Sequence, residues 1–268
     1  MVASFPNVGF PPAVFNVSRP GSVETVAYGG HTPSREEPMP QSPSATQTKA
    51  ERVLHPPRPR PARRPLAHGG VTYDSENYAM LNRPIETERH AKRILRYLRP
   101  LAEERLLEVG CGRGWLTKRV QQMSPATYGI DVNPRSIEHA VAPNLAVMDA
   151  VDLRFDDEQF DKLFSFHAIE HIVEADVALR EMHRVLVPGG RILLVYPAEP
   201  IRGLYAMPGA WLGFGNPLLA RQLHVHKFTP RRIERLAAQC GLLHIESAFD
   251  WLITPQFMTV LEKAPYPQ

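Results

Sequence analysis

Two groups of residues in this chain have the types and spacing to do chemistry. The stretch SFHAIEHI (165–172) sets His167, Glu170 and His171 in an H-x-x-E-H pattern. On a helix, positions three and four apart share a face, so two imidazoles and a carboxylate would converge, as in one class of zinc peptidases. Upstream, LLEVGCGRGWL carries Gly110, Gly112 and Gly114 as G-x-G-x-G. A tight turn explains one glycine well and three poorly; glycines also let the backbone approach a ligand closely. Asp131 lies 21 positions beyond Gly110, the distance at which an acidic residue receives ribose hydroxyls. Asp149 is suited to accept a hydrogen bond from an exocyclic amine, as on adenine. Together these residues describe a nucleoside site without phosphate demands. A dinucleotide fold would want G-x-G-x-x-G, and Trp115 directly after Gly114 spoils that pattern, which disfavours an NAD-dependent oxidoreductase.

The elements around these residues alternate. PIETERHAKRILRYL (84–98) reads as an amphipathic helix opened by proline, and ERLLEVG (104–110) as a short buried strand. A helix over 115–123, a strand over 127–132, a capped helix over 133–142 and a strand over 144–150 follow. FDKLFSF (160–166) is a fourth strand. Val173 to Leu186 reads as a helix stopped by the PGG of 188–190, and RILLVYP (191–197) as a fifth strand. A capped helix over 229–241 precedes LLHIESAFDWL and QFMTVLEKA, which pair as a terminal hairpin. The predicted fold is α/β: a Rossmann-like, doubly wound, mostly parallel seven-stranded sheet with a C-terminal antiparallel hairpin. In such sheets ligands bind beyond the carboxyl ends of the strands, where the glycines, Asp131, Asp149 and His167 all fall.

Composition adds limits. The 268 residues are 43% hydrophobic and 22% charged, as in an ordinary globular protein of one or two domains. Residues 1–70 hold 8 Lys/Arg against 4 Asp/Glu, and the remainder 23 against 24. The basic character therefore belongs to the N-terminal segment, and no nucleic-acid partner is expected for the rest. That segment also holds 13 of the 27 prolines and reads as a disordered Pro/Arg-rich tail ahead of a domain over 71–268. Cys111 and Cys240 make no disulfide framework, and no signal peptide is evident, so a cytoplasmic location is expected. Gly203 to Ala220 lacks charge over 18 residues, the minimum of a membrane span, but four Gly and two Pro interrupt it.

With these motifs in order, residues 104–245 resemble class I S-adenosylmethionine-dependent methyltransferases of the ubiquinone/menaquinone-biosynthesis type. LLEVGCGRG looks like the family's first motif and YGIDVNPRSIEHA like its second. MDAVDLRFDDEQFDKLFSFHAIEHI looks like its adenine loop and fourth strand, and ALREMHRVLVPGGRILLVYP like the helix and strand after it. HKFTPRRIERLAAQCGL looks like its late helix. The resemblance implies S-adenosyl-L-methionine as cofactor. Gly110, Cys111, Gly112 and Gly114 would pack on its methionine and ribose part, and Glu108 would hold its ammonium end. Asp131 would take the ribose hydroxyls. Asp149 would bind the adenine amine and the Ala150 amide a ring nitrogen. Phe166 and His167 would lie near the sulfonium.

Methyl transfer to a hydroxyl benefits from a base with a pKa near 7, which makes His167 the candidate catalytic residue. Methylation of a small, apolar or aromatic molecule, O-directed first, is the expected activity. A cofactor-binding protein without catalysis is the alternative from another class. Metal assistance is a further alternative. Small-RNA 2′-O-methyltransferases and ubiquinone-pathway O-methyltransferases carry Glu-x-x-Glu-His after strand four, and the RNA enzymes add a later His in an HKF context. This chain departs with His167 in place of the first Glu, leaving His167, Glu170, His171 and His226 as a set better suited to Zn²⁺ or Fe²⁺ than to Mg²⁺. The insertion at 198–222, with Tyr205, Met207, Trp211, Leu212 and Phe214, reads as a lid over the substrate or as a peripheral membrane contact through 203–220. Tyr73 and Tyr78 would close the pocket from the other side. A peptidase reading fails on context, because the motif ends a parallel strand beside a nucleoside site.

Overall fold

The computed structural model describes residues 67–68, 71–72, 87–251 and 255–266. Most of the predicted tail, together with Tyr73 and Tyr78, lies outside them. Within the predicted tail, Ala67–His68 pairs with Val71–Thr72 as a two-residue antiparallel ladder.

Seven strands form one sheet. They are β1 Leu106–Val109, β2 Thr127–Asp131, β3 Leu145–Val147, β4 Phe160–Phe166, β5 Leu186–Pro197, β6 Leu242–Asp250 and β7 Gln256–Lys263. Their spatial order is β3-β2-β1-β4-β5-β7-β6. The first five strands are parallel; β7 is antiparallel to both β5 and β6. The doubly wound, mostly parallel sheet with its C-terminal antiparallel hairpin is thus as the alternation of elements predicts.

Strand alternation sends neighbouring side chains to opposite faces, and here both faces are covered. On one face Leu163, Ile192, Leu194 and Tyr196 join Ala178, Leu179 and Met182 of α4 (Ala175–Val185) and Ile233 and Ala237 of α7 (Pro230–Gln239). On the other, Phe164, Phe166, Leu193 and Val195 meet Ala91 and Ile94 of α1 (Thr87–Tyr97) and Leu116 and Val120 of α2 (Trp115–Val120). The near-continuous apolar runs of β4 and β5 follow from this double burial.

Several boundaries differ from the sequence reading. Helix α3 covers only Pro134–Glu138, because the Val141 amide leaves the helix and donates to the Arg113 carbonyl at 2.9 Å. Helix α2 stops at Val120, and the Gln121 side chain instead donates to the carbonyls of Thr127 and Pro143, both at 3.0 Å. VPGG does not sit between helix and strand: β5 begins at Leu186, opposite Phe160, and the pairing shifts before Arg191 meets Lys162. The extra residues form a bulge. Within 198–222 lie α5 (Met207–Phe214), a 3₁₀ turn at Pro217–Leu219 and the start of α6 (Ala220–Leu223). No helix among the described residues is long and apolar enough to cross a membrane.

Candidate active site

The glycine loop leaves β1 and turns into α2. Gly110, Gly112 and Gly114 all have positive φ, at 80°, 53° and 82°. Two of them are also demanded by packing. A Cβ on Gly110 would stand 2.3 Å from the Ala168 Cβ, and one on Gly114 would stand 2.4 Å from the Leu145 Cδ1. Gly112 contributes through its backbone instead. Its amide donates to Asp131 Oδ2 at 2.7 Å, while the Asn133 amide donates to Oδ1 at 2.9 Å. The loop and the end of β2 are therefore locked through one carboxylate. Burial raises the pKa of Asp131 against these two hydrogen bonds.

Glu108 points inward from β1, almost without exposure, and accepts a hydrogen bond from the Thr117 hydroxyl of α2. Burial pushes its carboxyl up to about 8, with the nearby Asp131 adding to the rise and Thr117 opposing it. Cys111 is buried in the same loop, and burial raises its thiol pKa well above the ordinary value. Asp149, at the end of β3, accepts from the Val151 amide at 3.1 Å, and Ala150 beside it is buried. The one basic residue of the loop, Arg113, is turned aside. It donates to the His139 carbonyl at 3.1 Å and lies over the Trp115 ring. The edge therefore presents carboxyl groups and amides rather than a phosphate cradle, which fits a nucleoside better than a pyrophosphate.

At the end of β4 the H-x-x-E-H stretch is not an α-helix. His167 has a φ of +52°, a left-handed conformation that costs a non-glycine residue about 1–3 kcal/mol. Only Ile169–His171 forms a 3₁₀ turn. The His167 amide donates to the Val195 carbonyl at 2.9 Å, which holds the kink against β5. Its ring lies near His90, which in turn stacks on Phe166 with centroids 4.5 Å apart. Gln256, from β7, is oriented by the hydrogen-bond network: its oxygen accepts from Arg93 at 2.6 and 3.0 Å, and its amide donates to His167 Nε2 at 2.9 Å. Arg93 is also ion-paired with Asp250. This network assigns the His167 proton to Nδ1, 3.5 Å from Glu170 Oε1.

The alternative metal set of His167, Glu170, His171 and His226 does not come together as one cluster. His226 donates from Nε2 to the Val173 carbonyl at 3.0 Å. The groups that converge are Glu170, His171 and His224, with one donor atom of each within 4.8 Å of the others. His224, Glu199, Gln256 and Arg93 escaped the sequence reading. HVHKF offered no signal for His224, since residues two apart in an extended segment lie on the same face and its two histidines are equivalent by spacing. Burial alone would raise the Glu170 carboxyl, but the imidazoles of His167, His171 and His224 hold it below the usual range. Burial lowers His171 to about 4, so its ring is neutral near pH 7.

The sequence model of a family described as methyltransferase domain matches residues 107–194, which run from β1 into β5. The chain is 30% identical over 140 residues to a malonyl-[acyl-carrier protein] O-methyltransferase of Erwinia pyrifoliae, covering 50% of this chain and 53% of that protein. It is also 30% identical over 139 residues to a demethylmenaquinone methyltransferase of Staphylococcus carnosus, covering 47% of this chain and 58% of the other. The chain thus spans little more than half the length of these curated relatives. The same fold recurs in Haemonchus contortus phosphoethanolamine N-methyltransferase 2, solved in complex with S-adenosyl-L-methionine. The TM-score is 0.52 at 15% identity, over 66% of this chain and 52% of that one.

Proposed function

We propose that this chain is an S-adenosylmethionine-dependent methyltransferase acting on a small, apolar or aromatic molecule, with oxygen as the favoured acceptor. The observation that carries this reading is the strand edge itself. Glu108, Asp131 and Asp149 stand around a glycine loop whose single cation, Arg113, is engaged elsewhere. The names of the relatives support the reaction class, and that of the Erwinia relative supports oxygen as acceptor.

The roles follow from position. The backbone of Gly110, Cys111, Gly112 and Gly114 would lie along the methionine and ribose, with Glu108 toward the ammonium. Asp131 would receive the ribose hydroxyls and Asp149 the adenine amine, beside the Ala150 amide. When bound, the cofactor supplies an electrophilic methyl group; the new carbon–oxygen bond forms as the carbon–sulfur bond breaks, leaving a neutral thioether. Phe166 and His167 would flank that centre. His167 Nε2 would receive the hydroxyl proton once substrate takes the place of the Gln256 amide. The apolar surface of the insertion, with Trp211, Leu212 and Leu218 exposed, would cover the acceptor.

Calorimetric titration with S-adenosylmethionine and with NAD tests the site. Binding of the first and not the second is expected; a folded protein that binds only NAD would overturn the proposal. Incubation with methyl-labelled cofactor and fractionated cell extract then identifies the acceptor. One observation favours binding without transfer: the Nε2 lone pair of His167 is already engaged by Gln256. Cofactor binding without any labelled product would establish that second reading.

A further inference from the structure

We propose that Glu170, His171 and His224 form a binding site for a divalent transition metal, oriented by Glu199. The three groups come from two distant parts of the chain: the turn after β4 and the segment after α6. One donor atom of each lies within 4.8 Å of the other two.

Each histidine is already held as a metal ligand needs to be. His171 Nδ1 donates to the Leu223 carbonyl at 2.8 Å, and His224 Nδ1 donates to Glu199 Oε1 at 2.8 Å. Glu199 is itself buried and fixed, accepting from the Gly203 amide at 2.8 Å and the Tyr205 amide at 2.9 Å. A proton on Nδ1 leaves the lone pair on Nε2, and a ring N–H given to a carbonyl or carboxylate is the supporting arrangement that sets tautomer and orientation at metal sites. The two rings meet edge to face with centroids 4.8 Å apart.

Glu170 provides the independent observation. Its side chain is 1% exposed, and apart from the 3.5 Å approach of His167 neither carboxylate oxygen has a hydrogen-bond partner. A buried carboxylate so placed is costly unless a charge compensates it. A bound cation would do so.

Two imidazole nitrogens and one carboxylate oxygen match Zn²⁺, Fe²⁺ or Co²⁺, whereas Mg²⁺ prefers oxygen ligands and keeps its waters. Bonds of about 2.0–2.2 Å require the donors to draw in by small side-chain rotations, and three protein ligands leave a position open. Glu199 lies at the start of the insertion and His224 two residues past its end. A metal here would therefore fasten both ends of the insertion to the turn after β4. The inference does not depend on methyl transfer.

The test uses the full, tag-free chain, stripped with a chelator and then titrated with Zn²⁺ by calorimetry and with Co²⁺ by visible absorption. One equivalent of each should bind, with a Co²⁺ spectrum of nitrogen and oxygen ligation. His224→Ala should lower affinity at least 100-fold, and Glu199→Gln by about 10–100-fold, the usual effect of losing an orienting partner. His226→Ala should bind as the parent does. Failure to bind one equivalent, or unchanged binding by His224→Ala, would overturn the proposal. If circular dichroism shows that His224→Ala does not fold, Glu170→Gln takes its place with the same expectation. S-adenosylmethionine titration of the same stripped sample reports on the nucleoside site separately, so the two proposals fail or stand independently.

Discussion

Glu108 shows what one buried carboxyl does to the molecule. Its folded pKa of about 8 lies above the ordinary 4.5, so the folded state holds its proton where the unfolded state has released it. The stabilising difference is intact below about pH 4.5 and is lost as pH rises toward 8. Urea unfolding of Glu108→Gln and the parent at pH 5 and pH 8 should show the variant losing less stability over that interval. Asp131 is expected to matter for both loop and ligand. Asp131→Ala removes two amide hydrogen bonds to a carboxylate, each worth about 1.5–3 kcal/mol, and should weaken S-adenosylmethionine binding at least tenfold by calorimetry. At His167, strain and chemistry can be separated. His167→Gly and His167→Ala both delete the imidazole, but only Gly accepts the +52° φ without cost. The glycine variant should be about 1 kcal/mol the more stable in denaturant melts. If His167 is the base, both variants should lose about 10²–10⁴ in kcat while retaining cofactor affinity.

The elements that carry these residues were largely legible. The order of strands and helices follows from short apolar runs set between amphipathic stretches, and caps such as Thr229, whose hydroxyl accepts from the Arg232 amide, are local signals. What failed were the endings fixed by partners far along the chain, such as the Arg113 carbonyl that captures Val141. The H-x-x-E-H stretch misled for the same reason: its spacing suits a helix, yet pairing with β5 holds His167 in a left-handed kink. The glycine loop is tight enough for a direct test. Gly110→Ala adds a methyl 2.3 Å from the Ala168 Cβ in a left-handed conformation, so both clash and strain should lower stability. Pairing it with Ala168→Gly should recover the clash but leave about 1 kcal/mol of backbone strain, read as a partial return of the melting temperature.

At the scale of the whole molecule, the site was legible where it lies just after strands in sequence order and hidden where the chain returns to it. Glu108, the glycines, Asp131 and Asp149 fall at predictable offsets from β1, β2 and β3. His224, Glu199 and Gln256 do not, because they reach their partners only through the folding of the insertion and the placement of β7. HVHKF offered two histidines, and nothing in its spacing says that His224 rather than His226 meets Glu199. The insertion raises one further expectation. If Trp211 and Leu212 cover an apolar acceptor, Trp211→Ser should raise KM for that acceptor several-fold and leave S-adenosylmethionine affinity unchanged.

The position of β7 has a consequence of its own. The latest of the seven strands to be synthesised is not at the margin of the sheet but is wedged between β5 and β6, and its first residue, Gln256, reaches His167. A nascent chain that stops short of β7 would leave the backbone edges of β5 and β6 bare and His167 without its Gln256 contact. Synthesis of this strand is thereby coupled to completion of the pocket, and copies without it would carry bare sheet edges open to pairing with other chains.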